Sequence, residues 1–190
     1  MGSPQTQEVP PDMQQPASAD HLDTIRRAYR IAVRDLRACY NPDGIVAGRL
    51  HFNAYWARDG FWALFGALAL GDHDQARAHL NTFIRYQLPS GTLPVRIEFI
   101  GHTFGKYHTQ RARPKVLYRA GTIFVDPLDP AALFIIAARE YFEHTKDTAF
   151  CSGFDPAMDH AVRWLMLQDR DGDGILENRY LADWWRRFHA

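Results

Sequence analysis

The stretch Asn53–Leu70, NAYWARDGFWALFGALAL, decides how this chain is read. From Trp56 to Leu70 it is apolar on nearly every side, as expected of a helix enclosed by other helices, and Gly71 ends it. Yet Arg58 and Asp59 stand at its head, among Trp56, Phe61, Trp62 and Phe65. That charged pair has two readings. Asp59 can cap the helix, its carboxylate accepting free backbone N–H groups while Arg58 faces solvent. Alternatively the pair lines a sugar site, where aromatic rings stack on apolar sugar faces while a carboxylate and a guanidinium take the hydroxyls in fixed directions.

Helical pattern surrounds this segment. Upstream from Ala19, HLDTIRRAYRIAVRDLRACY sets Leu22, Ile25, Tyr29, Ala32, Val33, Leu36 and Tyr40 at helical spacings, and NPDG stops the run. Downstream, DHDQARAHLNTFIRYQL carries a stripe of Ala76, Leu80, Phe83, Ile84 and Leu88, closed by Pro89-Ser90-Gly91. The short connection at Gly71 makes these two helices an antiparallel hairpin. From Gly91 to Val125 the helical period disappears. GTLPVRIEFIG and KVLYRAGTIFVD read as extended, with a basic segment, His108–Lys115, between them, so a long irregular or small β-hairpin insertion is expected. Helix returns at Asp129–Thr145, with Asp129 as N-cap and Pro130 at the first helical position. It returns again at Asp155–Gln168, also opened by Asp-Pro, and a last helix is expected near Leu181. About six helices in hairpins, without strand-helix alternation, give a mainly α fold.

Composition narrows the function classes. The 190 residues are 46% apolar and 13% aromatic, enough for one sizeable core, and 22 basic residues balance 22 acidic ones. No whole-protein field therefore recruits nucleic acid or an anionic membrane. Cys39 and Cys151 have no metal-ligand or disulfide spacing and read as small buried hydrophobes. The Pro-rich, polar segment 1–19 lacks an apolar signal core and is read as a disordered leader, which places the protein in the cytoplasm by default.

Two further segments could carry chemistry. In DRDGDGILEN, Asp169, Asp171 and Asp173 alternate before Gly174, like the first half of a calcium-binding EF-hand loop, but Tyr180 stands where the bidentate Glu belongs. The segment is then a shorter Asp-rich calcium loop or a polar turn in which Gly172 and Gly174 supply positive φ. In LENRYLADWW, Glu177 and Asp183 are carboxylates near Tyr180, Trp184 and Trp185. Glycoside hydrolysis needs a carboxylic acid kept protonated in a partly apolar site, and either residue could serve; equally, Glu177 could bond its own loop and Asp183 could cap the last helix. His73, His79, His102, His108, His144 and His160 form no ligand pair and read mostly as surface or capping residues. Nucleophile-elbow, P-loop and dinucleotide-binding glycine patterns are absent, and no other cofactor is implied.

Taken in order, YWARDGFWALFGALALGD, DPLDPAALFIIAAREYFEHTKDTAF and DRDGDGILENRYLADWW resemble the catalytic domain of (α/α)6-barrel glycosidases of the glycogen-debranching, glucoamylase and trehalase-like type. The resemblance covers residues 20–190. It implies a toroid of helical hairpins with a sugar pocket at one end and an inverting pair of carboxylates acting on an α-glucosidic oligosaccharide. Trp56, Arg58 and Asp59 match its W-x-R-D motif, which makes the opening pair a substrate clamp. Asp129 would sit near the same pocket mouth, and Trp184 would contribute an aromatic wall. Asp183, with Glu177 as substitute, would be the general acid. The general base falls in later helices that have no counterpart here, so the resemblance implies about half of the toroid, the N-terminal half. An uncovered apolar face would then favour self-association. Two other classes compete: a non-catalytic helical carbohydrate-binding or interaction module, and a sugar epimerase, whose paired histidines His51 and His102 do not supply.

Overall fold

The computed structural model describes residues 19–99, 114–119 and 127–177. They belong to two compact units, Met1–Arg37 and Ala38–Ala190. Residues 1–18 of the expected leader lie outside the described residues, and Ala19 opens α1 (Ala19–Ala38). Leu22 to Leu36 lie on this helix at the predicted spacing, whereas Tyr40, expected to continue the stripe, falls in a strand because the helix ends at Ala38; Leu22, Ile25 and Tyr29 are exposed.

Among the described residues the second unit is mainly helical, with two small antiparallel sheets. A tight hairpin, β1 (Tyr40–Asn41) and β2 (Gly44–Ile45), comes first. Then β3 (Tyr55–Trp56) runs directly into α2 (Ala57–Ala69), which turns at Gly71 into α3 (His73–Arg85). Strands β4 (Arg96–Glu98) and β5 (Lys115–Leu117) follow, and the unit continues through α4 (Asp129–Thr145) and α5 (Thr148–Met166). The described parts of the insertion, residues 91–99 and 114–119, therefore carry short strands, with β4 central between β3 and β5, while the rest of it, including most of the basic segment His108–Lys115, lies outside the described residues. Strand β3 has no sequence signature, because two residues are too few to show an alternating pattern.

Helix α2 packs against both α4 and α3. Phe61 of α2 meets Phe83 of α3 at 4.8 Å and Phe134 of α4 at 6.1 Å between ring centroids, all three fully buried. Burial of an aromatic side chain contributes roughly 2–3 kcal/mol each, so this triad anchors the three helices. The expectation that α2 is enclosed on nearly every side holds for one face only. Ala57, Phe61, Leu64, Ala67 and Leu68 are buried, while Trp62 is 61% exposed. Ile136, Val162, Met166 and Leu167 are exposed as well.

Several local expectations are corrected. Helix α3 stops at Arg85 rather than Leu88, because the Tyr118 hydroxyl takes the Tyr86 carbonyl at 2.7 Å and the Leu88 N–H donates to the Thr92 carbonyl at 3.0 Å. Those bonds replace another helical turn. Helix α5 starts at Thr148, where the Asp147 carboxylate accepts the Phe150 N–H at 3.0 Å. Pro156 is thus inside the helix instead of opening it, on an exposed face where its ring meets solvent. At α4 the N-cap is Leu128, and Asp129 is the first helical residue with its carboxylate engaged elsewhere. Cys39 and Cys151 are only partly buried, not core residues. No helix among the described residues is long and apolar enough to cross a membrane.

His79 departs most from expectation: it is fully buried. Its Nδ1 accepts the Ile45 N–H at 3.1 Å, which leaves the proton on Nε2, where no partner lies among the described residues. The ring sits against Phe61 and Phe83, and Gly60 covers its far edge. A Cβ built on Gly60 would lie 2.3 Å from His79 Cε1 and 2.4 Å from Nε2. Alanine ordinarily improves a helix interior over glycine by about 0.5–1 kcal/mol, but overpacking a core costs about 1–3 kcal/mol. The ring cannot retreat without losing Ile45, so the steric term wins. Gly60→Ala is expected to lower the urea midpoint; a raised midpoint would mean that the ring yields.

Candidate functional site

The sequence around α2 sets up a cavity at that helix's first turn. Trp56 ends β3 in extended conformation and is the N-cap of α2, so Ala57, Arg58 and Asp59 fall in the first turn. The Ala57 N–H, one of the donors a helix start leaves free, is taken by the Val95 carbonyl at 2.9 Å. This bond ties α2 to the segment leading into β4. The first turn of α4, Asp129-Pro130, opens beside it, so α2 and α4 start at the same end of the unit. Two helix N-termini, each carrying partial positive charge, converge there, and an acidic residue stands in the first turn of each.

The cavity between them has a volume of about 280 Å³. Its apolar wall is Phe52, Trp56 and Val95, and its polar edge is Arg58, Asp59 and Asp129. Phe52 meets Trp56 edge-on, 6.2 Å between centroids at 75°. Arg58 Nε donates to Asp129 Oδ2 at 2.7 Å across 71 residues of sequence, with the two side chains 42% and 28% exposed. This charge-assisted bond pins both groups at the rim. Of the capping reading, the N-cap position belongs to Trp56 and not to Asp59, and Arg58 is bonded to Asp129 instead of simply facing solvent.

Four sequence candidates, Trp56, Arg58, Asp59 and Asp129, thus line one cavity. Trp184 and Asp183 lie outside the described residues. Glu177 is not among the residues lining the cavity; it accepts the Arg170 N–H at 2.7 Å, and its own N–H donates to Gln168 at 3.0 Å. It bonds its own loop, one of its two expected readings. Phe52 and Val95 were not singled out by the sequence. Phe52 stands in an irregular segment without a period, and only the approach of the strand after Pro94 brings Val95 alongside.

The Asp-rich loop folds as its glycines suggest, Gly172 and Gly174 both having positive φ. Asp169 accepts the N–H groups of Gly172 and Gly174 at 2.9 and 3.1 Å, Asp171 that of Asp173 at 3.2 Å, and Asp173 that of Ile175 at 2.7 Å. The carboxylates that can converge are Asp169, Asp171 and Glu177, with ligand atoms within 4.8 Å of one another. Glu177 therefore takes the place that the sequence pattern gives to Asp173.

Burial alone pushes the His79 imidazole down to about 3. Tyr55, behind the cavity wall, is pushed well above the usual phenol range, first by burial and then by the Asp43 carboxylate. Both groups stay neutral across the physiological range. The site's charge therefore comes from Arg58, Asp59 and Asp129. An apolar aromatic wall facing a fixed ion pair and a further carboxylate can hold a small polyhydroxylated ring. No protein-family model and no curated protein matches this chain.

Proposed function

We propose that the chain forms the sugar-binding part of a glycoside hydrolase catalytic domain of the (α/α)6 type, acting on α-glucosidic oligosaccharides by an inverting mechanism. The observation that carries this reading is the convergence of Trp56, Arg58, Asp59 and Asp129 on one ring-sized cavity. In it the indole would face the apolar side of a sugar, and Asp59 would accept hydroxyl protons. The general acid would be Asp183 or Glu177. Two cysteines without a disulfide framework suit a reducing compartment, and the reading includes a cytoplasmic location. The exposed Trp62 and Ile136 would support self-association or cover by further helices.

Asp59→Asn tests the binding role. Asp59 is exposed in the first turn of α2, so the change should cost no more than about 0.3–1 kcal/mol, which is what a negative charge contributes at an exposed helix N-terminus. Loss of a charge-assisted acceptor should weaken maltotriose binding about tenfold in calorimetry. Unchanged affinity in a chain that binds maltotriose would remove Asp59 from the site.

A non-catalytic sugar-binding module is the second reading, and the bonding of Glu177 into its own loop favours it. Saturable maltotriose binding without release of glucose would select it over hydrolysis.

A further inference from the structure

Arg96 is an expensive residue in its position. It stands on β4, the central strand of its sheet, with its side chain only 25% exposed and its Nε buried without a partner among the described residues. Among the described residues its carboxylate partner is Glu98, on the same strand, 3.3 Å from Nη2. A largely withdrawn guanidinium with an orphaned donor destabilises a fold unless something else uses it. The use lies across the strand pair. Arg96 is in register with Trp56 of β3, so the two side chains share a face, and the guanidinium carbon lies 5.1 Å from the indole centroid, over the ring.

Trp56 lines the cavity and Arg96 does not. The guanidinium, stacked over the indole, thus reaches the cavity only through Trp56. Phe52 reaches it edge-on only, and an edge contact restrains tilt less than a stacked cation does. We propose that Arg96 is a positioning residue, which holds the Trp56 indole by cation–π stacking so that its other face is presented to the ligand. Glu98, two residues along the same strand, orients the guanidinium. The inference rests on the sugar-binding reading only for the identity of the ligand.

The experiment compares the whole chain carrying Arg96→Met, which keeps length and loses charge, with Arg96→Lys, which keeps charge and loses the planar stack. The readouts are the near-ultraviolet circular dichroism of Trp56, isolated from the other four tryptophans by subtracting each variant's Trp56→Phe derivative, and maltotriose affinity by calorimetry. In Arg96→Met the Trp56 signal should fall by half or more and binding should weaken roughly fivefold to tenfold, while Arg96→Lys restores part of both. If Arg96→Met does not fold, Arg96→Gln, polar and planar but uncharged, should show the same loss. An undiminished Trp56 signal without the charge overturns the proposal, and so does a lysine variant that restores nothing. A wild-type chain that binds no maltotriose overturns the sugar reading, while the dichroism still decides the role of Arg96.

Discussion

Gly91→Ala will destabilise the Ala38–Ala190 unit by on the order of 4 kcal/mol, the largest effect expected of any single methyl group here. A Cβ on Gly91 would lie 2.0 Å from the backbone oxygen of His160 and 2.7 Å from Trp164 Cβ, both on α5. Backbone atoms in the middle of a helix cannot step aside as a side-chain tip can. The conformation at Gly91, φ +96°, is also one that a residue with a Cβ rarely adopts, which adds about 1–2 kcal/mol of strain. Stiffening the unfolded chain works the other way by only about 0.4–1 kcal/mol, so the sign is not in doubt. The close approach is held by Gln87, whose amide donates to the carbonyls of Gly91 and of Ala157 on α5 at 3.1 and 2.9 Å. Function should follow stability, because this turn leads into Val95, which lines the cavity and holds the first N–H of α2. The melting temperature should drop by about 10 °C or more. Gly71→Ala is the control: it has φ +76° but nothing within 4 Å, so it carries backbone strain alone. Equal melts for the two variants would mean that α5 does not press on Gly91.

Mild acid will destabilise the same unit through His79. Its folded pKa is lowered to about 3 by burial, against 6.5 for the exposed ring of the unfolded chain. Above pH 6.5 both states are neutral and the full stability is present. As pH falls below that, the unfolded state binds the proton and the folded state does not. Stability then drops by up to 1.4 kcal/mol for each pH unit, and the loss ends only near the folded value. The total is on the order of 5 kcal/mol, a large share of the roughly 5–15 kcal/mol that holds a domain folded. Protonation would also place two N–H donors face to face at Ile45. Urea unfolding between pH 7 and pH 5, above the carboxylate range, should show the decline. His79→Asn, whose Oδ1 can accept the Ile45 N–H but cannot titrate, should show a lower starting stability and a flatter profile. A wild-type midpoint that is constant across this window would place His79 in contact with water.

The helices were legible because each carries a local signal. The spacings in residues 22–36, the breaker Gly71 and the Asp-Pro start of α4 depend on neighbours within a few positions, and the observed α1, α2 and α4 match them to within two residues. Boundaries set by distant groups were not legible. Tyr118 ends α3 from 32 residues away, and no property of the residues near Tyr86 announces it. Pro156 misleads for a related reason: the proline that opens a helix and the proline on the solvent face of one look alike until packing decides where the first turn lies.

The candidate site divides along the same line. The residue types were visible in the sequence itself: a Trp-x-Arg-Asp run heading an apolar helix, and an aspartate opening another. Those are facts of order along the chain. That Arg58 closes on Asp129 rather than on its neighbour Asp59, that Arg96 lies over Trp56, and that His79 is sealed between Gly44 and Gly60 came only with tertiary structure. Each is a contact between segments tens of residues apart. Its energy depends on distance and burial, which a linear pattern does not encode. Sequence alone determined the helices and the chemistry available at the head of α2; the fold decided which of those groups meet, and which are withdrawn from water.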